Sequence, residues 1–202
     1  MTNKIEAIIF DIGGVIFRPG DGPPLREKWA SRCNLSPEVF DETVYNSPLY
    51  AKAATGEITN EELWAFKNQT LNLSPAELEE FLVDYWDGYW DQTLMSYIET
   101  LKPHYRLGIL SDANTGAREV VQEQIDLTLF DTVTFSYEVG LRKPDPEIFK
   151  LTLDRLAVPP SAAIFIDDRP DNVEGARALG MQAILYEEFE PFVNDLELVL
   201  YG

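Results

Sequence analysis

Residues 7–17 read "AIIFDIGGVIF". The apolar stretch Ile5–Phe10, broken only by Glu6, ends in one carboxylate, Asp11, and the glycines Gly13 and Gly14 follow. A run that is apolar at consecutive positions describes a strand buried on both faces, the habit of a parallel sheet. An acid closing such a strand falls just outside its carboxyl end, where open α/β sheets bind their ligands. Glycines beyond it let backbone amides and carbonyls approach a ligand closely.

Outward from this stretch, the second half of the chain repeats the same grammar. Strands are expected at 105–111 ("YRLGILS"), 132–136, 162–167 ("AAIFID") and 182–186. Helices are expected near 93–101, 115–126, from "KPDPEIF" to 156, near 172–179, and in the amphipathic tail "FEPFVNDLELVL". Alternating strands and helices predict an α/β fold, a Rossmann-like parallel sheet with helices on both faces.

Residues 18–88 have another character. Ser36-Pro37-Glu38, Thr59-Asn60-Glu61-Glu62 and Ser74-Pro75-Ala76-Glu77 each pair a helix N-cap with acids in the first turn. No strand is expected there. Trp29, Trp64 and Trp86 supply the bulk that a small helical unit needs for a core. The expected organisation is a core formed by 1–17 and 89–202, with 18–88 inserted as a small helical cap domain.

Composition narrows the partners. Sixteen Lys and Arg against 35 Asp and Glu leave a net charge of -19, which repels nucleic-acid backbones and anionic membranes. A small anionic substrate stays possible, because a bound metal and local cations reverse the field inside one pocket. The single cysteine, Cys33, permits neither an internal disulfide nor a cysteine zinc site. "AIIF" is too short for a membrane span or a signal-peptide core, and the expected location is cytoplasmic. There is no GxxxxGK[ST] loop and no GxSxG elbow, and the lone His104 reads as a loop residue.

The expected strand ends gather Asp11, Ser111 with Asp112, Lys143, and Asp167 with Asp168 on one rim. Each alone has an ordinary reading: a turn acid, a helix cap, a solvated lysine, a capped turn. Their coincidence on one edge points to a site.

The segments "FDIGGVI", "GILSD", "RKPDPEIF" and "FIDDRPDNVEGARALGM" resemble the haloacid dehalogenase-like hydrolase superfamily, in the branch with a helical cap after the first strand. Within it, the chain is similar to sugar-phosphate phosphatases whose first motif also lacks a second aspartate. The resemblance implies a phosphatase acting on a small phosphorylated metabolite, with Asp11 as nucleophile and Lys143 as charge clamp. It implies Mg²⁺ held by Asp11, the Gly13 carbonyl and Asp168. Ser111, Asp112, Asn114 and Lys143 would meet the substrate, while Asp167 and Asn172 would orient Asp168 and metal-bound water. Arg18, Lys52 and Glu57 are candidate readers of the leaving group.

The sequence departs from the family at Gly13, where most members carry the aspartate that protonates the leaving group. Three explanations stand: a substrate with a good leaving group, a substitute acid such as Asp112, or a fold kept without hydrolysis. The corresponding rivals are a silent binding or regulatory protein and a 2-haloacid dehalogenase. The second usually has an aromatic residue at the Gly13 position.

Overall fold

The computed structural model describes residues 4–20 and 25–202. Strand β1 (Ala7–Phe10) leads through the Asp11 loop to β2 (Phe17–Pro19). Five helices follow: α1 (Leu25–Arg32), α2 (Pro37–Val44), α3 (Tyr50–Ala54), α4 (Asn60–Leu71) and α5 (Pro75–Tyr85). Strand β3 (Gly88–Trp90) then pairs antiparallel with β2. The rest alternates: α6 (Gln92–Leu101), β4 (Arg106–Ser111), α7 (Ala117–Gln122), β5 (Thr132–Phe135), α8 (Ser136–Val139), α9 (Pro146–Leu156), β6 (Ala163–Asp167), α10 (Pro170–Ala178), β7 (Gln182–Leu185) and α11 (Phe189–Tyr201).

The main sheet runs β5-β4-β1-β6-β7 and every pairing in it is parallel. Alternate β1 side chains point to opposite faces. Ile8 and Phe10 join the cluster formed with α6 and α11, through Leu94, Ile98, Phe192 and Leu196. Ala7 and Ile9 join the cluster formed with α9 and α10, through Phe149, Leu153, Val173 and Ala176. Each such large side chain contributes about 1.5–3 kcal/mol when removed from water, so β1 is anchored from both sides. Its C-terminal end, and the acid on it, inherit that rigidity.

The helical insertion has a third apolar cluster of its own, built on Trp29, Phe40, Trp64 and Phe81. The helix starts carry the expected caps. Ser36 accepts from the Val39 N–H, and Thr59 and Ser74 close reciprocal capping boxes with Glu62 and Glu77.

Four expectations are corrected. The region 18–88 is not free of strand, because β2 and β3 form a short ribbon at its base; three residues per strand are too few to show a period. Trp86 is not a core residue: it is 56% exposed. It follows the last turn of α5, beyond the buried face that Phe81 occupies. Helix α7 is shorter than 115–126, because Gly116 adopts a left-handed φ of +89° and the helix begins only after it. Finally, α1 and α3 were not anticipated, and α3 has no side-chain cap to announce it.

Candidate active site

Register brings the rim together. Phe10 lies level with Ile109 on one side and Ile166 on the other, so Asp11 emerges beside the end of β6. The Asp11 N–H donates to the Ile166 carbonyl at 2.9 Å, which fixes the acid at the sheet edge.

Lys143 is the centre of the cluster. It is only 2% exposed, so it is not a solvated loop lysine. Its Nζ lies 3.0 Å from Asp11 Oδ1 and donates to Asp167 Oδ2 at 2.6 Å. Asp167 is fully buried and its oxygens are committed. They also accept from the Arg169 N–H at 2.8 Å and from Asn172 Nδ2 at 3.0 and 3.1 Å. Asp167 therefore grips the lysine directly, whereas the sequence suggested a partner of Asp168. Asp11 Oδ1 is buried and, despite its ion-pair distance to Lys143, has no aligned hydrogen bond.

The electrostatics show what the cluster lacks. Burial pushes the Asp11 carboxyl up from 3.8 to about 7, with Lys143 opposing and Asp167 adding to the rise. For Lys143, burial favours the neutral amine, but Asp11, Asp167 and Asp112 together hold its pKa above the ordinary lysine value. Burial, and then Asp167, raise Asp168. Oxygens of Asp11, Asp167 and Asp168 lie within 4.8 Å of one another. Three carboxylates against one ammonium leave two negative charges in a partly dry corner. An all-oxygen donor set with that deficit fits a hard divalent cation.

Gly14 explains how Asp168 comes so close. A Cβ on Gly14 would lie 2.1 Å from Asp168 Oδ2, and the residue holds a left-handed φ of +73°. Both requirements select glycine. Gly13 is different, since a Cβ there would meet nothing within 4 Å. Its missing side chain is not imposed by packing.

Around this corner lie the remaining candidates. Ser111 ends β4 and is 5% exposed; it does not cap α7, whose N-cap is Gly116. The loop after it is fixed by Ser136, whose hydroxyl accepts from the Ala113 N–H at 2.9 Å and donates to the Ala113 carbonyl at 3.2 Å. Asp112 Oδ1 accepts the Lys143 N–H at 2.9 Å, and its Oδ2 lies 3.6 Å from Arg142 Nε. Asn114 Nδ2 donates to Asn60 Oδ1 of α4 at 3.2 Å, and the Asn60 N–H donates to Thr115 Oγ1 at 2.9 Å. Asn114 thus joins the helical insertion to the rim.

Arg18 does not reach out as a substrate reader. It donates to the Gly14 carbonyl at 2.7 Å and the Glu187 carbonyl at 2.9 Å, tying the Asp11 loop to the end of β7. Lys52 and Glu57 are exposed on the insertion, and Glu57 accepts from the Thr55 hydroxyl at 3.1 Å. Sequence reasoning missed Tyr50, Ser136 and Arg142. Only Arg142 carried a signal, as the neighbour of Lys143 in "RKPDPEIF".

A family model described as haloacid dehalogenase-like hydrolase matches residues 5–180. The chain belongs to that family. Among its curated relatives, Phosphatase MT3486 of Mycobacterium tuberculosis is 34% identical over 91% of this chain and 88% of its own. D-ribitol-5-phosphate phosphatase of Bacteroides thetaiotaomicron is 25% identical over 97% and 98%. The chain spans less than half the length of some longer relatives, such as the bifunctional epoxide hydrolase 2 of Sus scrofa. A HAD family enzyme from Bacteroides thetaiotaomicron, crystallised with magnesium and inorganic phosphate, superposes with a TM-score of 0.74 at 20% identity, covering 93% of this chain and 98% of that one. That likeness carries the fold. Among the described residues, no helix is long and apolar enough to cross a membrane.

Proposed function

We propose that this protein is a Mg²⁺-dependent phosphatase that cleaves a small phosphorylated metabolite, sugar phosphates among them, through an aspartyl-phosphate. The observation that carries this is the buried Asp11 Oδ1, unbonded, 3.0 Å from a buried ammonium and facing two further carboxylates. A merely structural acid at a sheet edge would be solvated or fully bonded. The phosphatase names of two relatives similar along nearly their whole length support the same reading.

Asp11, Asp168 and the Gly13 carbonyl would hold Mg²⁺. Bound there, the ion supplies the positive charge that lets a carboxylate and a phosphate dianion meet. Asp11 attacks phosphorus in line and the P–O bond to the leaving group breaks. Lys143 neutralises charge on Asp11 and on the phosphoryl oxygens, held in place by Asp167 and, through it, by Asn172. Ser111 and the backbone amides after it bind the remaining phosphoryl oxygens. Asp112 and Asn114 shape the substrate side of the rim, Asp112 by fixing the Lys143 loop. Water then cleaves the acyl phosphate and frees Asp11. Residues 18–88 act as a cap that excludes bulk water and limits substrate size.

The test is hydrolysis of 4-nitrophenyl phosphate with Mg²⁺ or with chelator, using Asp11→Asn as the blank. Activity that needs both Mg²⁺ and Asp11 is expected. Activity surviving either removal, or none at all together with failure of beryllium fluoride to bind at Asp11, overturns the reading.

A further inference from the structure

The glycine at position 13 leaves the leaving group without the proton donor that the chemistry calls for. General acid help of this kind is worth about 10²–10⁴ in rate. A donor from elsewhere on the rim would restore that help, and the rim offers few uncommitted groups. Asp112 spends one oxygen on the Lys143 N–H and pairs the other with Arg142. Asn114 donates to Asn60. Arg169 pairs with Asp171 at 3.0 Å. Arg18 is tied to the Gly14 and Glu187 carbonyls.

Tyr50 is different. It is the first residue of α3, so it comes from the helical insertion, and its ring packs against Arg142, the neighbour of Lys143. The Arg142 guanidinium lies over its ring at 5.4 Å, and Asp112 lies beside that guanidinium at 3.6 Å. A planar cation on an aromatic face holds the ring in place while leaving its hydroxyl free. That stack places the ring next to Lys143, whose N–H is bound by the same Asp112 that pairs with Arg142, and the charges of Asp112, Arg142, Asp11 and Lys143 all bear on its hydroxyl. Burial, and then Asp112, raise its pKa above the ordinary phenol value, so it carries its proton throughout the neutral range.

We infer that the Tyr50 hydroxyl, held by Arg142 and Asp112, donates the hydrogen bond and the proton to the leaving oxygen of the substrate. The inference rests on the phosphatase reading above. When the P–O bond breaks, its electron pair goes to the leaving oxygen, which takes the Tyr50 proton. In the second step water attacks the aspartyl-phosphate and its proton returns to the Tyr50 phenolate. Asp112 then has a distinct purpose. An asparagine there would still accept the Lys143 N–H, but it would not pair with Arg142, the residue that holds the ring.

The test compares Tyr50→Phe with the parent on 4-nitrophenyl, phenyl and ethyl phosphate, following kcat and KM separately, with thermal melts to show that the variant folds. The expected loss in kcat grows as the leaving group worsens, from less than about 10-fold for 4-nitrophenyl phosphate to about 10²-fold or more for ethyl phosphate. Gly13→Asp in the Tyr50→Phe background is expected to recover the loss on ethyl phosphate. An equal loss on all three esters, no loss on any, or a parent that cleaves only the 4-nitrophenyl ester overturns the inference. If the parent shows no Asp11-dependent hydrolysis of the 4-nitrophenyl ester, the phosphatase reading itself has failed, which is a separate result.

Discussion

Replacing Gly14 with alanine tests the metal corner through one methyl group. The added Cβ would lie 2.1 Å from Asp168 Oδ2 and 2.3 Å from its Cγ. Ordinary contact begins near 3.4 Å, so one partner must retreat by about 1.3 Å. The loop is poorly placed to yield. The Gly14 N–H donates to the Phe17 carbonyl at 2.8 Å, and the Gly14 carbonyl accepts from Arg18 at 2.7 Å. Asp168, just past the end of β6, is exposed and can swing outward, so it is the group that moves. A side chain in the left-handed region costs about 1–2 kcal/mol in addition. A displacement of about 1 Å at a reacting centre costs about 10²-fold. Gly14→Ala is therefore expected to fold, to lose about 1–3 kcal/mol in urea unfolding, and to bind Mg²⁺ at least about 10-fold more weakly by calorimetric titration. Gly13→Ala, with free space around the new methyl, is the control. A Gly14→Ala protein that binds Mg²⁺ as tightly as the parent would refute the argument.

Other outcomes follow from the same charges and contacts. Lys143→Met leaves Asp11 and Asp167 buried without their cation and should cost about 3–5 kcal/mol at neutral pH; denaturant unfolding should show part of it recovered at pH ~5, where Asp11, already raised to about 7 in the parent, takes up a proton. Because the folded-state pKa of Asp11 is raised to about 7, the metal-free fold binds protons more tightly than the unfolded chain. Its stability should thus be present in acid and fall, by up to about 4 kcal/mol, as pH rises from ~4 to ~7. Mg²⁺ should stabilise most at the upper end of that window, and melting curves with equal Mg²⁺ shifts at every pH would contradict this. In the insertion, Trp29→Ala should cost about 3–5 kcal/mol and Trp86→Ala less than about 0.5 kcal/mol, since one is fully buried and the other 56% exposed.

How much of this was legible in the sequence depends on how each residue is positioned. Asp11, Ser111, Asp167 and Asp168 belong to strand ends or the residue just beyond, and strand ends are readable from apolar runs. Lys143 was legible as a motif, but its near-complete burial was not, because a lysine between an arginine and a proline looks like surface. Tyr50 was out of reach. Nothing caps α3, and its approach to Arg142 comes from tertiary packing across the rim. Asp167 illustrates a finer limit: sequence placed it beside Asp168, but only the folded geometry shows its oxygens spent on Lys143, Arg169 and Asn172. Sequence marks Gly13 as the place of a missing acid but gives Gly14 only a general role in close backbone approach, and the structure separates them further. Steric contact demands Gly14, and none demands Gly13.

The helical insertion leaves and re-enters the core through β2 and β3, and those strands are bonded to each other. Phe17, which opens the ribbon, also holds the Gly14 N–H, while Asp91 just after the ribbon donates its own N–H to the Ile16 carbonyl. Torque on the helices therefore reaches the Asp11 loop through this ribbon, as it reaches the loop after β4 through Asn60. On the function proposed above, the helices over the rim and the acid beneath them are geared together. Substitutions in the distant helices are then expected to alter turnover as well as substrate choice.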